Sequence, residues 1–336
     1  MRSLLTALAA VAFASASIAS AQAINGAGAT FPAPIYQKWF EEYHRAHSNI
    51  TINYQAVGSG AGIAQLTAGT VDFGASDMPM TDAQIAKLPA PAFHFPTVLG
   101  AVVPTYNLAG VTEQLKFSGD VLAGIYLGTI TKWNDAKIKA DNPGVNLPNA
   151  NIIVVHRSDG SGTTFVWTDY LSKVSPAWKS KVGADTSVQW PTGVGGAKND
   201  GVAALVKQTP NTIGYVELIY AANNKMGFGL VKNAAGAFVL ASADSVSMAA
   251  AGAAKAMPAD FRVSITNAPG KGAYPISSFT WLLIPTKFAD KAKGTAIKGF
   301  IQWMLGDGQK ECAANFYAPL PKEVVALELK QLAKVQ

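Results

Sequence analysis

The run Arg157-Ser158-Asp159-Gly160-Ser161-Gly162-Thr163-Thr164 packs one guanidinium, one carboxylate, four hydroxyls and two glycines into eight residues. That mixture suits the capture of a small oxyanion. A guanidinium is always charged and can fork two hydrogen bonds to one tetrahedral anion. Hydroxyls rotate to meet the remaining oxygens, and glycines let backbone N–H groups approach closely. The run follows Ile152-Ile153-Val154-Val155, which reads as a buried strand. It precedes Phe165, Val166, Tyr170, Leu171 and Val174, which fit one side of a helix. A strand, a glycine loop and a helix start put the run where unpaired N–H groups and a partial positive charge favour an anion. The residue types leave open which oxyanion it is, and whether it is held or cleaved.

Two further glycine-rich segments stand directly before helical patterns: Gly26 to Phe31, and Gly58 to Gly62. They supply Thr30 and Ser59, as the first run supplies Ser161 and Thr163. One glycine turn before a helix is commonplace; three carrying hydroxyls suggest convergence on one anion. The elements that must position them alternate. Pro32 and Pro34 suit a helix start, and Ile35/Trp39 with Tyr36/Phe40/Tyr43 recur at spacings of four and three. Ile50 to Val57 alternates as a strand, and Ile63 and Leu66 mark a short helix stopped at Gly69. Val71 to Asp77 reads as a short strand ending in a carboxylate, and Thr81 with Gln84 forms a capping box. Phe95 to Asn107 and Tyr274 to Pro285 are apolar and extended, and Thr212 to Val216 is strand-like. Gly193 to Gly196 reads as a turn, and Asn223 to Pro269 as peripheral helices and loops. Ile297, Phe300, Ile301, Met304 and Leu305 mark closing helices. The alternation indicates an α/β fold.

The ends and the composition narrow the setting. Met1 to Ala23 has a positive start, an apolar stretch and an A-x-A site at Ala21-Gln22-Ala23, so it reads as a secretory signal cut after Ala23. Removing those 23 of 336 residues leaves 313, enough for two domains. Cys312 is the only cysteine, so no internal disulfide can form, and it reads as a buried thiol in a helix. An exported chain without disulfides fits a bacterial periplasm. The net charge of +6 rests on scattered lysines among only 14% charged residues, which argues against nucleic-acid binding. No GxxxxGK[ST] loop and no G-x-S-x-G elbow is present. His44, His47, His94 and His156 form no metal-binding set.

Four motifs then resemble one family: Asn25 to Pro34 (NGAGATFPAP), Asn53 to Gly62, Val71 to Asp77 (VDFGASD) and Arg157 to Phe165 (RSDGSGTTF). Gly195-Gly196 with Asn199-Asp200-Gly201, and Ile213-Gly214-Tyr215-Val216, extend the match along nearly the whole mature chain. The chain resembles the phosphate-binding component of bacterial high-affinity phosphate uptake, a periplasmic protein serving an ABC transporter. The resemblance implies a two-lobed α/β fold of the type II periplasmic-binding-protein class, with two crossing strands and hinge closure. The crossings are expected near Pro104 and Tyr274, giving one lobe of residues 24–103 and 275–336 and another of 104–274. It further implies phosphate ligands at Thr30, Phe31 (through its N–H), Ser59, Asp77, Arg157, Ser161, Gly162 (through its N–H) and Thr163, with Asp159 pairing with the arginine. Inorganic phosphate and the permease subunits are the implied partners, for a monomer that uses no cofactor and no metal and performs no catalysis.

Asp77 is what would make an anion site a phosphate site. A carboxylate beside an anion repels it unless the anion has a proton to donate. Phosphate has one at neutral pH and sulfate has none, so a buried carboxylate facing bare oxygens should reject sulfate by ~100-fold or more. A secreted phosphatase or phosphotransferase, and a carrier of sulfate or molybdate, are the rival expectations.

Overall fold

The computed structural model describes residues 22–336. The leader expected at 1–23 therefore lies outside the described residues except for Gln22 and Ala23. Those two form the first rungs of a strand, paired with Ile50 and Thr51. Twelve strands run in chain order as β1 (Gln22–Gly28), β2 (Ile50–Ala56), β3 (Phe73–Ser76), β4 (Ala92–Asn107), β5 (Lys116–Phe117), β6 (Ile153–Arg157), β7 (Val194–Gly196), β8 (Thr212–Glu217), β9 (Gly227–Phe228), β10 (Leu230–Lys232), β11 (Phe238–Val239) and β12 (Ser277–Pro285). Nine of these form one sheet in the order β2-β1-β3-β12-β4-β8-β6-β7, with β9 against β4; β11-β10-β5 form a small second sheet.

Both flanks of the large sheet are parallel, β1 between β2 and β3, and β6 between β8 and β7. Parallel neighbours require crossovers. The helices Ala33–Ala46 and Ser59–Thr67 serve the first flank, and Gly162–Val174 and Lys198–Gln208 the second. The middle, through β12, β4 and β8, is antiparallel. Strand β4 joins the halves. Its residues 92–101 pair with β12 and its residues 102–107 with β8. At the handover Val102 N–H donates to Ile276 O at 2.9 Å. The change of partner along β4 thus lies after Ala101, slightly before Pro104, and the chain beyond Tyr274 leads into β12. Pro96 has no N–H for the ladder, and here the register shifts so that Thr97 is left unmatched between Val98–Thr280 and Pro96–Trp281.

Each half has its own aromatic core. Helix Ala33–Ala46 buries Ile35, Tyr36, Trp39, Phe40 and Tyr43 on the face predicted by their spacing. Phe40 meets Phe300 at 5.1 Å and Phe73 at 6.4 Å between ring centroids. In the other half Trp167 stacks on Tyr215 at 5.1 Å and meets Tyr126 edge-on at 5.2 Å. Aromatic pairs at such distances add to the area they bury.

Local readings change in four places. Gly193 to Gly196 is not merely a turn: Val194–Gly196 is a strand on β6, and a Cβ on Gly196 would meet Gly201 C at 2.8 Å. Only Val154 and Val155 of the apolar run are buried, while Ile153 is 39% exposed. Asn223 to Pro269 holds β9, β10 and β11 as well as a helix at Ala243–Lys255. Cys312 is buried, as expected, but lies between two short 3-10 turns, Gly308–Glu311 and Ala313–Asn315. The capping box forms as read, with Gln84 N–H donating to Thr81 Oγ1 and Thr81 N–H to Gln84 Oε1.

Candidate functional site

The three glycine-rich segments meet where the two halves face each other. Each leads into a helix, at Ala33, Ser59 and Gly162. Gly58 N–H donates to Gly28 O at 2.9 Å, which ties the first two loops together. Across the gap Gly60 N–H donates to Gly160 O at 2.9 Å, bringing the second loop onto the third. Gly58 has φ +96°, and a Cβ there would also strike Asp159 Oδ2 at 2.6 Å. Only glycine fits that approach. At Gly162 a Cβ would lie 2.5 Å from both Ser59 Oγ and Asp77 Oδ2, so the start of that helix presses directly on the opposing loops.

Thr30, Phe31, Ser59, Asp77, Arg157, Ser161, Gly162 and Thr163 are all buried. Contacts join Ser59, Asp77 and Gly162, Asn199 links Thr30 to Thr163, and Arg157 pairs with Asp159, while Phe31 is fixed here through its carbonyl. The carbonyls of Thr30 and Phe31 are pinned by phenols, Tyr220 Oη at 2.5 Å and Tyr317 Oη at 2.6 Å. Ser59 Oγ accepts from Asp77 N–H at 3.2 Å and Gly162 N–H at 3.1 Å, and its own proton serves the Asp77 carboxyl. Ser161 Oγ accepts from Thr164 N–H at 3.0 Å, capping its helix.

Arg157 is held by Asp159 through two bonds, Nε to Oδ1 at 2.8 Å and Nη2 to Oδ2 at 2.5 Å. Lys198 N–H also donates to Asp159 Oδ1, at 2.9 Å. Burial works against the Asp159 charge, yet the Arg157 bonds and charge hold its carboxyl below the usual range. Arg157 Nη1 is buried with no protein partner among the described residues. The arginine is thus oriented by one side of its fork and presents the other. Asp77, at the end of β3, is fully enclosed, and burial lifts its carboxyl to about 7 against the opposing pull of Thr280, Arg157 and Ser59. Thr280 Oγ1 donates to Asp77 Oδ1 at 2.8 Å.

Residues not singled out as ligands complete the frame. Asn199 Nδ2 donates to Thr30 Oγ1 at 2.8 Å and to Thr163 Oγ1 at 3.2 Å. Its Oδ1 accepts Glu217 N–H at 3.0 Å, which fixes the orientation of the amide. Each threonine hydroxyl accepts one bond from this amide and keeps its own proton to donate. Tyr215 Oη accepts Arg157 N–H at 3.1 Å and lies 2.7 Å from Thr164 Oγ1. The sequence signal for Asn199 is its place at the start of a helix just after Gly195-Gly196; Thr280, inside an apolar strand, carries none.

The site offers donors, one charge-restrained arginine and one enclosed acceptor. His156, the histidine adjacent to Arg157, directs Nδ1 to Arg157 O at 3.0 Å and stacks on Trp190 at 4.8 Å. His44 Nδ1 is 2.6 Å from Ile50 O. Among the described residues no three His, Cys, Asp or Glu side chains group for a metal ion, and no helix is long and apolar enough to cross a membrane.

Comparison with known proteins agrees with this architecture. The family model of the PBP superfamily domain matches residues 14–308. The phosphate-binding protein PstS of Xylella fastidiosa is 48% identical over 303 residues, covering 90% of this chain and 82% of that protein. The protein of the same name from Pasteurella multocida is 47% identical over 307 residues, covering 91% and 88%. A solved high-affinity periplasmic phosphate-binding protein with bound phosphate superposes with a TM-score of 0.73 at 22% identity, covering 92% of this chain and 93% of that one. With relatives this similar over nearly its whole length, the chain belongs to the PBP superfamily and, within it, to the family of the PstS phosphate-binding proteins.

Proposed function

We propose that this chain binds inorganic phosphate in the bacterial periplasm and delivers it to the permease subunits of an ABC transporter. The observation that carries this reading is Asp77, a fully enclosed carboxylate beside Gly162 and opposite a restrained arginine. A site for any oxyanion needs the donors; only an anion that brings its own proton makes use of such an acceptor. The ligand set is Thr30, Phe31, Ser59, Asp77, Arg157, Ser161, Gly162 and Thr163. Arg157 supplies charge, Asp159 restrains it, and the hydroxyls and N–H groups meet the remaining oxygens. The relatives named for phosphate binding support the same ligand.

The lobes are residues 24–103 with 275–336, and 104–274, closing on phosphate about the β4 and β12 crossings. The protein works as a monomer, without cofactor, metal or catalysis. Export uses the N-terminal leader. The place of Gln22 and Ala23 in β1 favours a cut after Ala21, where Ala19-Ser20-Ala21 also has A-x-A spacing, and N-terminal sequencing of the exported protein decides between the two.

Calorimetric titration of the mature chain with phosphate and with sulfate tests the function. Saturable phosphate binding with sulfate at least ~100-fold weaker is expected. Equal affinities would remove the role of Asp77, and turnover of a phosphomonoester would move the protein to the enzyme class.

A further inference from the structure

We propose that Thr280, on the crossing strand β12, is a specificity-determining residue: its hydroxyl engages one oxygen of Asp77 and so holds the carboxylate ionised with its other oxygen turned to the anion. This inference rests on the proposed phosphate function. Thr280 is buried, and its Oγ1 donates to Asp77 Oδ1 at 2.8 Å. A hydroxyl has a single proton, and the nearby Ser76 O lies at 3.4 Å, a longer and weaker alternative. The second carboxylate oxygen, Oδ2, is the one beside Gly162 and Ser59 Oγ. The register shift between Thr280 and Trp281 lies at this point of the strand, opposite unmatched Thr97, whose Oγ1 in turn donates to Thr280 O at 3.3 Å. Bulges of this kind commonly re-aim a side chain beside a functional site.

The chemistry follows from what Asp77 must do. As an ionised acceptor it receives a hydrogen bond from a protonated phosphate oxygen and repels sulfate. Once protonated, it becomes a donor and welcomes sulfate. Burial drives it towards that failure, and the Thr280 bond opposes it. The other ionisable groups that act on Asp77 are Arg157, Glu217 and the phenols of Tyr36, Tyr54, Tyr220 and Tyr317. Burial raises all four phenols well above their ordinary range and lifts Glu217 too. Of these influences, Thr280 and Ser59 reach Asp77 as side-chain donors and Arg157 as a charge.

Sulfate is the probe, because it has no proton to gain or lose near neutral pH. The pH at which sulfate affinity falls away therefore reports the protonation of Asp77 in the site. Calorimetric titrations with sulfate and phosphate across pH 5–9 should show that fall in the wild type and its disappearance in Asp77→Asn. Thr280→Val, which keeps the shape and loses the donor, should move the fall upward by roughly one pH unit, so that at the alkaline end of the range sulfate rejection weakens about tenfold while phosphate binding persists. Thr280→Ser should restore the wild-type position, and Thr280→Ala repeats the test without the branched side chain. A Thr280→Val or Thr280→Ala profile that superimposes on the wild type, with the Asp77→Asn control still flat, overturns the role of Thr280 alone. A wild type that takes sulfate and phosphate alike at every pH overturns both this inference and the function on which it rests.

Discussion

In the proposed ligand set Arg157 and Asp77 divide the work of recognition, and single substitutions should separate their parts. Arg157 offers Nη1 while Asp159 occupies Nε and Nη2. Arg157→Ala should therefore weaken phosphate on the order of 100-fold, the scale of one or two charge-assisted hydrogen bonds. Asp159 keeps the Lys198 N–H and partial contact with solvent, so the fold should survive. Affinity that barely moves would make the arginine structural. Asp77→Asn should lower the preference for phosphate over sulfate by ~100-fold with a smaller loss in phosphate affinity itself. It should also stabilise the ligand-free protein at pH 8. The Asp77 carboxyl titrates near 7 in the fold and near 3.8 when unfolded, so above that range the fold carries a charge its surroundings disfavour. Removing it should add on the order of a few kcal/mol, read from denaturant midpoints. A variant no more stable than the wild type would show that the site solvates the charge.

Elements carry a second, opposite dependence on pH. The segment after β3 is fastened to β4 through Met80 N–H, which donates to His94 Nε2 at 3.0 Å. Burial, helped by the Arg262 charge and opposed by Asp260, lowers His94 to about 4. Between that value and about 6.5 the unfolded chain binds more protons at this site than the folded one, so its contribution is full above 6.5 and is lost as pH falls towards 4. The loss is up to ~3 kcal/mol. Asp77 has the reverse sign in an overlapping range, because its raised value lets the folded state bind more protons there. Thermal scans should therefore compare wild type with His94→Asn, whose difference curve should slope between pH 6.5 and 4; a flat difference would free His94 from any such role. Much of this element frame is legible in the sequence, since the 3.6-residue spacing of Tyr36, Phe40 and Tyr43 and the Thr81–Gln84 box each state a local rule. The hydroxyls of Thr30, Ser59, Ser161 and Thr163 are legible for a related reason, because glycine loops before helices concentrate donors at one end of a sheet; the full set of eight proposed ligands comes only with the family resemblance. Asn199 and Thr280 are not legible. Asn199 acts on Thr30, 169 residues away, and Thr280 on Asp77, 203 residues away, and a threonine in an apolar strand looks like any other core residue. The short strand at Val194–Gly196 escapes for the same reason, since only its pairing with β6 distinguishes it from a turn.

At the scale of the whole molecule the halves touch away from the loops as well. Arg262 donates from Nη1 to Met80 O at 2.9 Å and to Asp82 Oδ1 at 2.7 Å, while Nε is held by Asp260 at 2.8 Å. Its neighbours Ser264 and Thr266 are anchored to the Gly162–Val174 helix by Asp169 and Lys173. Asp82 is 89% exposed, so its ion pair is weak and the carbonyl bond matters more. Because the contact spans the proposed lobes, it counts only when they are together. Arg262→Ala should then speed phosphate release about two- to fivefold without touching a ligand contact, and Asp82→Asn should change it less. Unchanged release kinetics would mean the contact is incidental to closure. The lone thiol provides an internal clock for the opposite process, global opening. Cys312 is fully enclosed and its thiol is pushed up to about 12 by burial, with Glu311 adding to the shift. A thiolate-specific reagent should therefore find it inert in the native protein and ordinary once the chain opens. Its labelling rate becomes a count of excursions from the native state, taken without denaturant and without any engineered probe. Phosphate at a hundred times its dissociation constant should slow that clock about a hundredfold if labelling requires loss of the site, and leave it unchanged if the thiol is exposed by a local fluctuation of the 3-10 turns alone.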